Sequence, residues 1–310
     1  MSGVGEVRRW LSEIWHSPVV RPGHRAAFFA LGACLLLTTL AICPGSGTAK
    51  EPVKAWKSLP WHLIDYYHRF PDTGTFRAIE IDLTLKGKVP KETYLYVSPL
   101  WGRFGDKGFY FGFLSDMYDP KRKKNIGKGI IFSRWGLGSK ADARTPKGAR
   151  SFVGEKATSG EGDFVSIRKP YRWNEGRYTF LMRARRPDAA GRGTWIDLLV
   201  LEHKSGRWID AGGLRFHGKE LSLRSRLVSF VEIFAKRGRG RRAFPKVLPE
   251  ITVSVSPPLV NGTYEPISNR IRFSRRIPRL IETEDDGLDF HMKLGRIPVP
   301  ATPLLQAVPK

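Results

Sequence analysis

Glu161 stands between Gly160 and Gly162, an arrangement that suits a carboxylate meeting a ligand. The glycines let backbone approach closely, while the carboxylate accepts sugar hydroxyls or holds a cation. The same three residues also read as a turn whose carboxylate caps local N–H groups. Trp135, Tyr171 and Trp173 supply flat apolar rings on which sugars or bases stack, and they equally suit the filling between two sheets. Glu161 and Glu232 can be paired as acid and base, the arrangement most glycosidases use, although neither sits in a hydrolase signature. These two acids are the catalytic candidates. No G-x-S-x-G elbow occurs, and His62, His68, His203, His217 and His291 lack metal-ligand spacing, so no cofactor or metal is expected.

Two basic runs offer a different chemistry. Lys121, Arg122, Lys123 and Lys124 form one, and Lys236 to Arg242, with Arg237, Arg239, Arg241 and Arg242, forms the other. They can grip a polyanion through salt-sensitive contacts, or they can be solvated loops of a basic protein.

The elements that must position these residues read as strands. Asp163 to Lys169 alternates, with Phe164, Ser166 and Arg168 opposite Val165 and Ile167. Pro170 ends that strand, Asn174-Glu175-Gly176 makes a turn, and Tyr178 to Arg185 returns, so the pair is expected to form one hairpin. Phe76 to Leu85 places Ile79, Ile81, Leu83 and Leu85 inward, and Gly108 to Leu114 places Phe109, Phe111 and Phe113 on one face. Ala141 to Arg150 reads as a mobile polar loop. Leu227 to Phe234 fits a helix and a strand equally well. Short strands at regular intervals predict a mainly β fold, an antiparallel β-sandwich or jelly roll of lectin-like kind.

Charge and hydropathy then set the compartment. Of 53 Lys+Arg against 29 Asp+Glu in 310 residues, all but four cations and two acids lie beyond residue 49. That excess favours acidic glycans, anionic headgroups or nucleic acid as surroundings. Ala26 to Cys43 is an uncharged apolar run preceded by Arg21 and Arg25, and it reads as a transmembrane or signal helix. The expected layout is a cytoplasmic basic N-terminus at 1–25, the membrane or signal-anchor segment at 26–43 and a linker at 44–59. A β-sandwich follows at 60–295, with a disordered tail at 296–310. Residues 50–310 are expected to be extracytoplasmic on a single-pass membrane protein, or secreted after cleavage near Ala49. An exported domain would meet glycans rather than nucleic acid. Both cysteines, Cys34 and Cys43, fall in or beside the apolar segment, so the remainder has no disulfide framework. Asn261-Gly262-Thr263 matches a glycosylation acceptor.

The chain also resembles the family catalogued as domain of unknown function 3472. The likeness rests on Gly108-Phe109-Tyr110-Phe111-Gly112, Ile131-Phe132-Ser133-Arg134-Trp135, Gly160-Glu161-Gly162, Pro170-Tyr171-Arg172-Trp173 and Gly176-Arg177-Tyr178. It continues through Ser229-Phe230-Val231-Glu232 and Arg241-Arg242 to Phe290–Gly295. Arg134 and Gly136 depart from it, standing where an apolar and an acidic residue are expected. The resemblance implies an exported β-rich domain and no known reaction. Together these readings give a membrane-anchored domain that binds carbohydrate without cleaving it, through Glu161, Tyr171, Trp173 and Trp135. A glycan hydrolase or lyase using Glu161 and Glu232 is the first alternative, and a basic structural surface protein contacting polyanions is the second.

Overall fold

The computed structural model describes residues 62–119, 122, 124–154, 162–187, 191–233, 236–238, 241–243, 250–273, 281–285 and 290–294. These belong to one compact unit, Trp56–Lys310. The apolar segment 26–43, Glu161, Lys121, Lys123 and Arg239 lie outside the described residues, as does the tail from residue 296. Among the described residues, no helix is long and apolar enough to cross a membrane.

The chain is mainly β. In order, its strands are β1 (Ile64–Arg69), β2 (Ala78–Lys86), β3 (Leu95–Phe104), β4 (Lys107–Leu114), β5 (Tyr118–Asp119), β6 (Lys124–Asn125) and β7 (Gly129–Trp135). Next come β8 (Ala143–Arg144), β9 (Arg150–Gly154), β10 (Phe164–Pro170), β11 (Gly176–Pro187), β12 (Thr194–Glu202), β13 (Arg207–Phe216) and β14 (Arg226–Ile233). The last are β15 (Lys236–Gly238), β16 (Arg241–Ala243), β17 (Ile251–Val255), β18 (Leu259–Val260), β19 (Ser268–Phe273), β20 (Ile281–Asp285) and β21 (Phe290–Leu294). An eight-stranded sheet runs β19-β1-β14-β3-β4-β7-β10-β9, and a nine-stranded sheet runs β20-β21-β17-β2-β11-β12-β13-β8 with β18 beside β2.

One apolar core is shared by the two sheets. Phe111 and Phe113 of β4 meet Phe180 of β11 at ring distances of 5.5 and 5.0 Å, and Phe109 meets Phe216 of β13 at 6.3 Å. The alternation of β2 and β4 is as the sequence reads: Ile79, Ile81, Leu83, Leu85, Phe109, Phe111 and Phe113 are all buried. The segment from Leu227 resolves to a strand, with Leu227, Val231 and Ile233 in this core. Its opposite side, Val228 and Phe230, joins a smaller apolar cluster with Tyr96, Leu114 and Ile131 on the outer face of the eight-stranded sheet.

The expected hairpin does not form. β10 pairs with β7 and β9 in the eight-stranded sheet, whereas β11 pairs with β2 and β12 in the other. Residues 171–175 therefore form a corner between the sheets, pinned by Trp173. That indole is only 1 % exposed, donates Nε1–H to the Leu114 carbonyl at 2.9 Å and stacks on Phe113 at 5.4 Å. The apolar faces of β10 and β11 both turn into the shared core, one from each sheet. Period-two patterning identifies those faces and not the sheet each strand joins.

Ala141 to Arg150 carries defined local structure, including β8 and the start of β9. Ser139 and Asp142 close a capping box around the short 3-10 helix Lys140–Asp142. The Asp142 carboxylate accepts from Arg215 Nε at 2.9 Å and lies 3.3 Å from Arg134, which is itself buried. Arg144 then reaches Asp197 at 2.9 Å and Asp210 at 2.8 Å. Arg134, an unexpected cation in an apolar stretch, is thus matched by an interior acid, as a buried charge must be.

Candidate functional site

The outer face of the eight-stranded sheet carries a cavity of about 620 Å³. Its lining comes from β1, β14, β3, β4, β7 and β10, and the side chains that reach it are set by strand alternation and one irregularity. On β4, Tyr110 and Leu114 face outward because Phe109, Phe111 and Phe113 face in. On β3 the register shifts between Val97 and Leu100, at Ser98-Pro99. Proline gives the ladder no N–H, and the irregularity turns Trp101 to the same side as Tyr96, five residues earlier. Gly112 makes room for it, since a Cβ there would stand 2.0 Å from the Val97 carbonyl oxygen. Gly108 does the same for Trp135: a Cβ would meet the indole at 2.6 Å.

These devices produce a continuous aromatic row. His62 stacks on Phe230 at 4.1 Å, Phe230 meets Tyr96 at 5.3 Å, and Tyr96 meets Tyr110 at 5.8 Å. Tyr110 lies 4.8 Å from Trp135, which lies 6.3 Å from Trp101. Trp101, Tyr110 and Trp135 are half-buried, so each presents surface to the cavity. Arg226 sits over Tyr67 at 5.8 Å, and Arg168 over Phe152 at 4.8 Å, placing two guanidinium groups in the lining.

A polar group occupies one end. His62 Nδ1 is 2.6 Å from Asp65 Oδ1, and Tyr67 donates its hydroxyl to Asp65 Oδ2 at 3.2 Å. A carboxylate only accepts, so Nδ1 carries the hydrogen and Nε2 points away from Asp65. Nε2 lies 3.8 Å from Glu232 Oε2. Burial works against charge on His62, but the Asp65 hydrogen bond and the charges of Asp65 and Glu232 outweigh it and raise its pKa above 6.5. Tyr96, the cross-strand partner of Glu232, is 3 % exposed, and its hydroxyl makes no full hydrogen bond among the described residues, meeting only a weak contact with Ser98. Burial first, then the nearby Tyr110 and Glu232, pushes that phenol well above its usual range, against a weaker opposing hydrogen bond from Ser98.

Of the residues singled out from sequence, Trp135 and Glu232 come together here. Trp173 does not: its indole is core, its edge is bonded to Leu114, and Lys128 stands over the ring at 4.2 Å, leaving no face for a ligand. Tyr171 packs against the same core, 6.2 Å from Phe113, and burial raises its phenol pKa. Glu161 lies outside the described residues. Arg122 is exposed near Asp119, which the Arg150 guanidinium also holds, and Lys124 is exposed on β6. Arg237, Arg241 and Arg242 fall on the two-stranded pair β15–β16. Asn261 is bound on both sides of its amide, accepting from the Arg77 and Ala78 N–H groups and donating to Thr73 and Thr75 carbonyls. An amide so engaged clamps the loops on either side of it.

His62, Asp65, Tyr67, Tyr96, Trp101 and Tyr110 were not selected from sequence. The signal available was their position: Asp65 and Tyr67 alternate with buried Ile64, Tyr66 and His68, so an acid and a ring share the face that should be wet.

No family model matches the chain, and no curated protein matches it. Solved structures are similar only distantly. The Scytalido-glutamic peptidase, solved with a peptide-based transition state analog, gives a TM-score of 0.38 at 10 % identity over 74 % of this chain and 98 % of its own. SCP-B, a member of the eqolisin family of peptidases in complex with the tripeptide Ala-Ile-His, gives 0.37 at 8 % over 74 % and 98 %. The marine PL-14 alginate lyase from Aplysia kurodai gives 0.34 at 8 % over 65 % and 72 %. At such scores no function follows from the likeness.

Proposed function

We propose that this protein binds a glycan chain along the groove of the eight-stranded sheet, as a lectin-like sandwich. The observation that carries the reading is the row of half-buried rings, Trp101, Tyr110 and Trp135, lining a cavity of about 620 Å³ with carboxylates at one end and arginines in its wall. Sugar rings present apolar C–H faces to aromatic surfaces and hydroxyls to carboxylates and guanidinium groups, so this lining matches both properties of the ligand. The ring site lies on β3, β4 and β7 rather than at the Tyr171-Arg172-Trp173 corner. Arg168 and Arg226 favour a chain that carries acidic groups. The apolar run at 26–43 supports a membrane-held, extracytoplasmic setting for the domain, in keeping with the resemblance to domain of unknown function 3472.

The test is a glycan-array screen of the full chain in detergent, at low and at moderate salt, beside Trp101→Ala and Trp135→Ala. Binding that persists at moderate salt and weakens about 10- to 100-fold in either variant is expected from the loss of ring stacking. Binding abolished by moderate salt and indifferent to both tryptophans would instead mark a polyanion-contacting surface without a ring site.

A further inference from the structure

The end of the groove formed by His62, Asp65, Glu232 and Tyr96 has a geometry that simple ligand capture does not require. Asp65 fixes His62 through Nδ1, which is how an orienting carboxylate leaves Nε2 ready to take a proton. The 3.8 Å gap between Nε2 and Glu232 Oε2 is of a size that one water can span, donating a hydrogen to each. Tyr96, which also lines the cavity, adds a buried hydroxyl with no full hydrogen bond among the described residues.

The spacing also limits the reaction. Cleaving a glycosidic bond by acid and base on opposite faces of the sugar needs groups about 5–9.5 Å apart with open space between them. Here the imidazole itself, stacked on Phe230, fills the space between Asp65 and Glu232, so these groups act from one side only. Elimination from a uronate would need a cation against the sugar carboxylate. Arg226 stands at the opposite end of β14 from Glu232, and Arg168 is on β10, with β3, β4 and β7 between it and β14. Acyl hydrolysis fits, because one base on one side of a carbonyl takes the proton from water and returns it to the leaving group.

Resting on the glycan-binding reading above, we propose that this end of the groove hydrolyses acyl esters carried on the bound glycan. Water held by His62 and Glu232 attacks the acyl carbon and passes a proton to Nε2. The carbonyl electrons move to oxygen, which accepts the Tyr96 hydroxyl hydrogen bond. The tetrahedral intermediate then expels the sugar oxygen, the carbon–oxygen bond breaks with its electron pair on that oxygen, and His62 returns the proton to it. One ester and one water become one carboxylic acid and one sugar hydroxyl. Water is the nucleophile, consistent with the lack of a serine elbow in the sequence. Asp65 is a positioning residue, while His62, Glu232 and Tyr96 face the reacting atoms.

The experiment uses the full chain with O-acetylated polysaccharides, namely acetylated xylan, mannan and pectin, and reads both retention of the glycan and release of acetate. Acetate release is expected from a glycan that is retained. His62→Gln should lower kcat about 100-fold or more and Tyr96→Phe about 10- to 100-fold, with KM within about threefold. The control His203→Ala, on the other sheet, leaves release unchanged. The rate should rise with pH through a value above 6.5, because Nε2 must be free of its proton, and Glu232→Gln should move that rise to lower pH. Tyr96→Phe removes an oxygen with no full hydrogen bond among the described residues, so the fold is retained and its loss of rate is interpretable. Glycan retained without acetate release overturns the proposal and leaves the binding reading standing. Release unchanged in His62→Gln and Tyr96→Phe also overturns it. Failure to retain any of the glycans removes the binding reading and this one together.

Discussion

The outer faces of the two sheets carry similar residues in opposite states. On the nine-stranded sheet, Asp82 accepts the Thr179 hydroxyl hydrogen and pairs with Arg177, and Thr179 Oγ1 lies 2.8 Å from His203 Nε2. The Thr179 hydrogen is spent on Asp82, so His203 must donate through Nε2, and the set is closed. Farther along that face Asp197 is held by Arg144 and Arg185. On the eight-stranded sheet, His62, Asp65 and Glu232 are likewise linked, but they line a cavity and stand beside the buried Tyr96 hydroxyl, which has no full hydrogen bond among the described residues. A histidine beside an acid therefore says little by itself. Whether the network closes on the protein or opens on a cavity separates a structural clamp from a site.

The largest effect that sharpens this contrast sets a core ring against a groove ring. Trp173→Ala should cost about 3–5 kcal/mol of unfolding free energy, as truncating a buried aromatic does. Trp135→Ala should cost much less, because its ring is half-exposed, and its loss should appear in ligand affinity. Denaturant unfolding followed beside glycan binding distinguishes the two. Equal destabilisation by both would erase the distinction.

The second effect is in pH and sets His68 against His62. His68 is buried, with burial lowering its pKa to about 4 against a weaker opposing hydrogen bond from Asn269. Only the unfolded chain takes a proton between pH 6.5 and about 4, so stability is full above 6.5 and falls as pH drops through that window, by roughly 3 kcal/mol in all. His62 has the opposite sign. Its raised pKa adds stability below 6.5 that is lost as pH rises through the folded value. Melting temperature from pH 4 to pH 8 checks both, since His68→Gln should flatten the acid side and leave the neutral side sloping.

The smallest effect belongs to the closed face. Asp82→Ala leaves the Thr179 hydroxyl without its acceptor and should cost about 1 kcal/mol, with no change in glycan affinity. A loss of binding in that variant would mean that the closed network is also functional.

Much of the layering was legible in the sequence, and the site less so. Alternation in β2 and β4 named the inward residues because side chains change face at every step. It failed at β10 and β11, where the same pattern serves a hairpin and a sheet-to-sheet corner equally. It also failed at Trp101, which shares a face with Tyr96 only because the register shifts at Ser98-Pro99. Trp135 and Glu232 were visible as residue types. Their neighbours were not, since His62 and Asp65 meet Glu232 only when β1 pairs with β14 across more than 160 residues.

The most direct test of the central claim, that the open aromatic face binds glycan, is a calorimetric titration of the full chain and of Trp101→Ala/Trp135→Ala with the tightest array ligand at moderate salt. Wild-type binding with heat that falls at least 10-fold in affinity in the double variant, while its unfolding midpoint stays near the wild-type value, is the predicted result. Unchanged affinity in a folded double variant would contradict the claim and leave the groove without a role in binding.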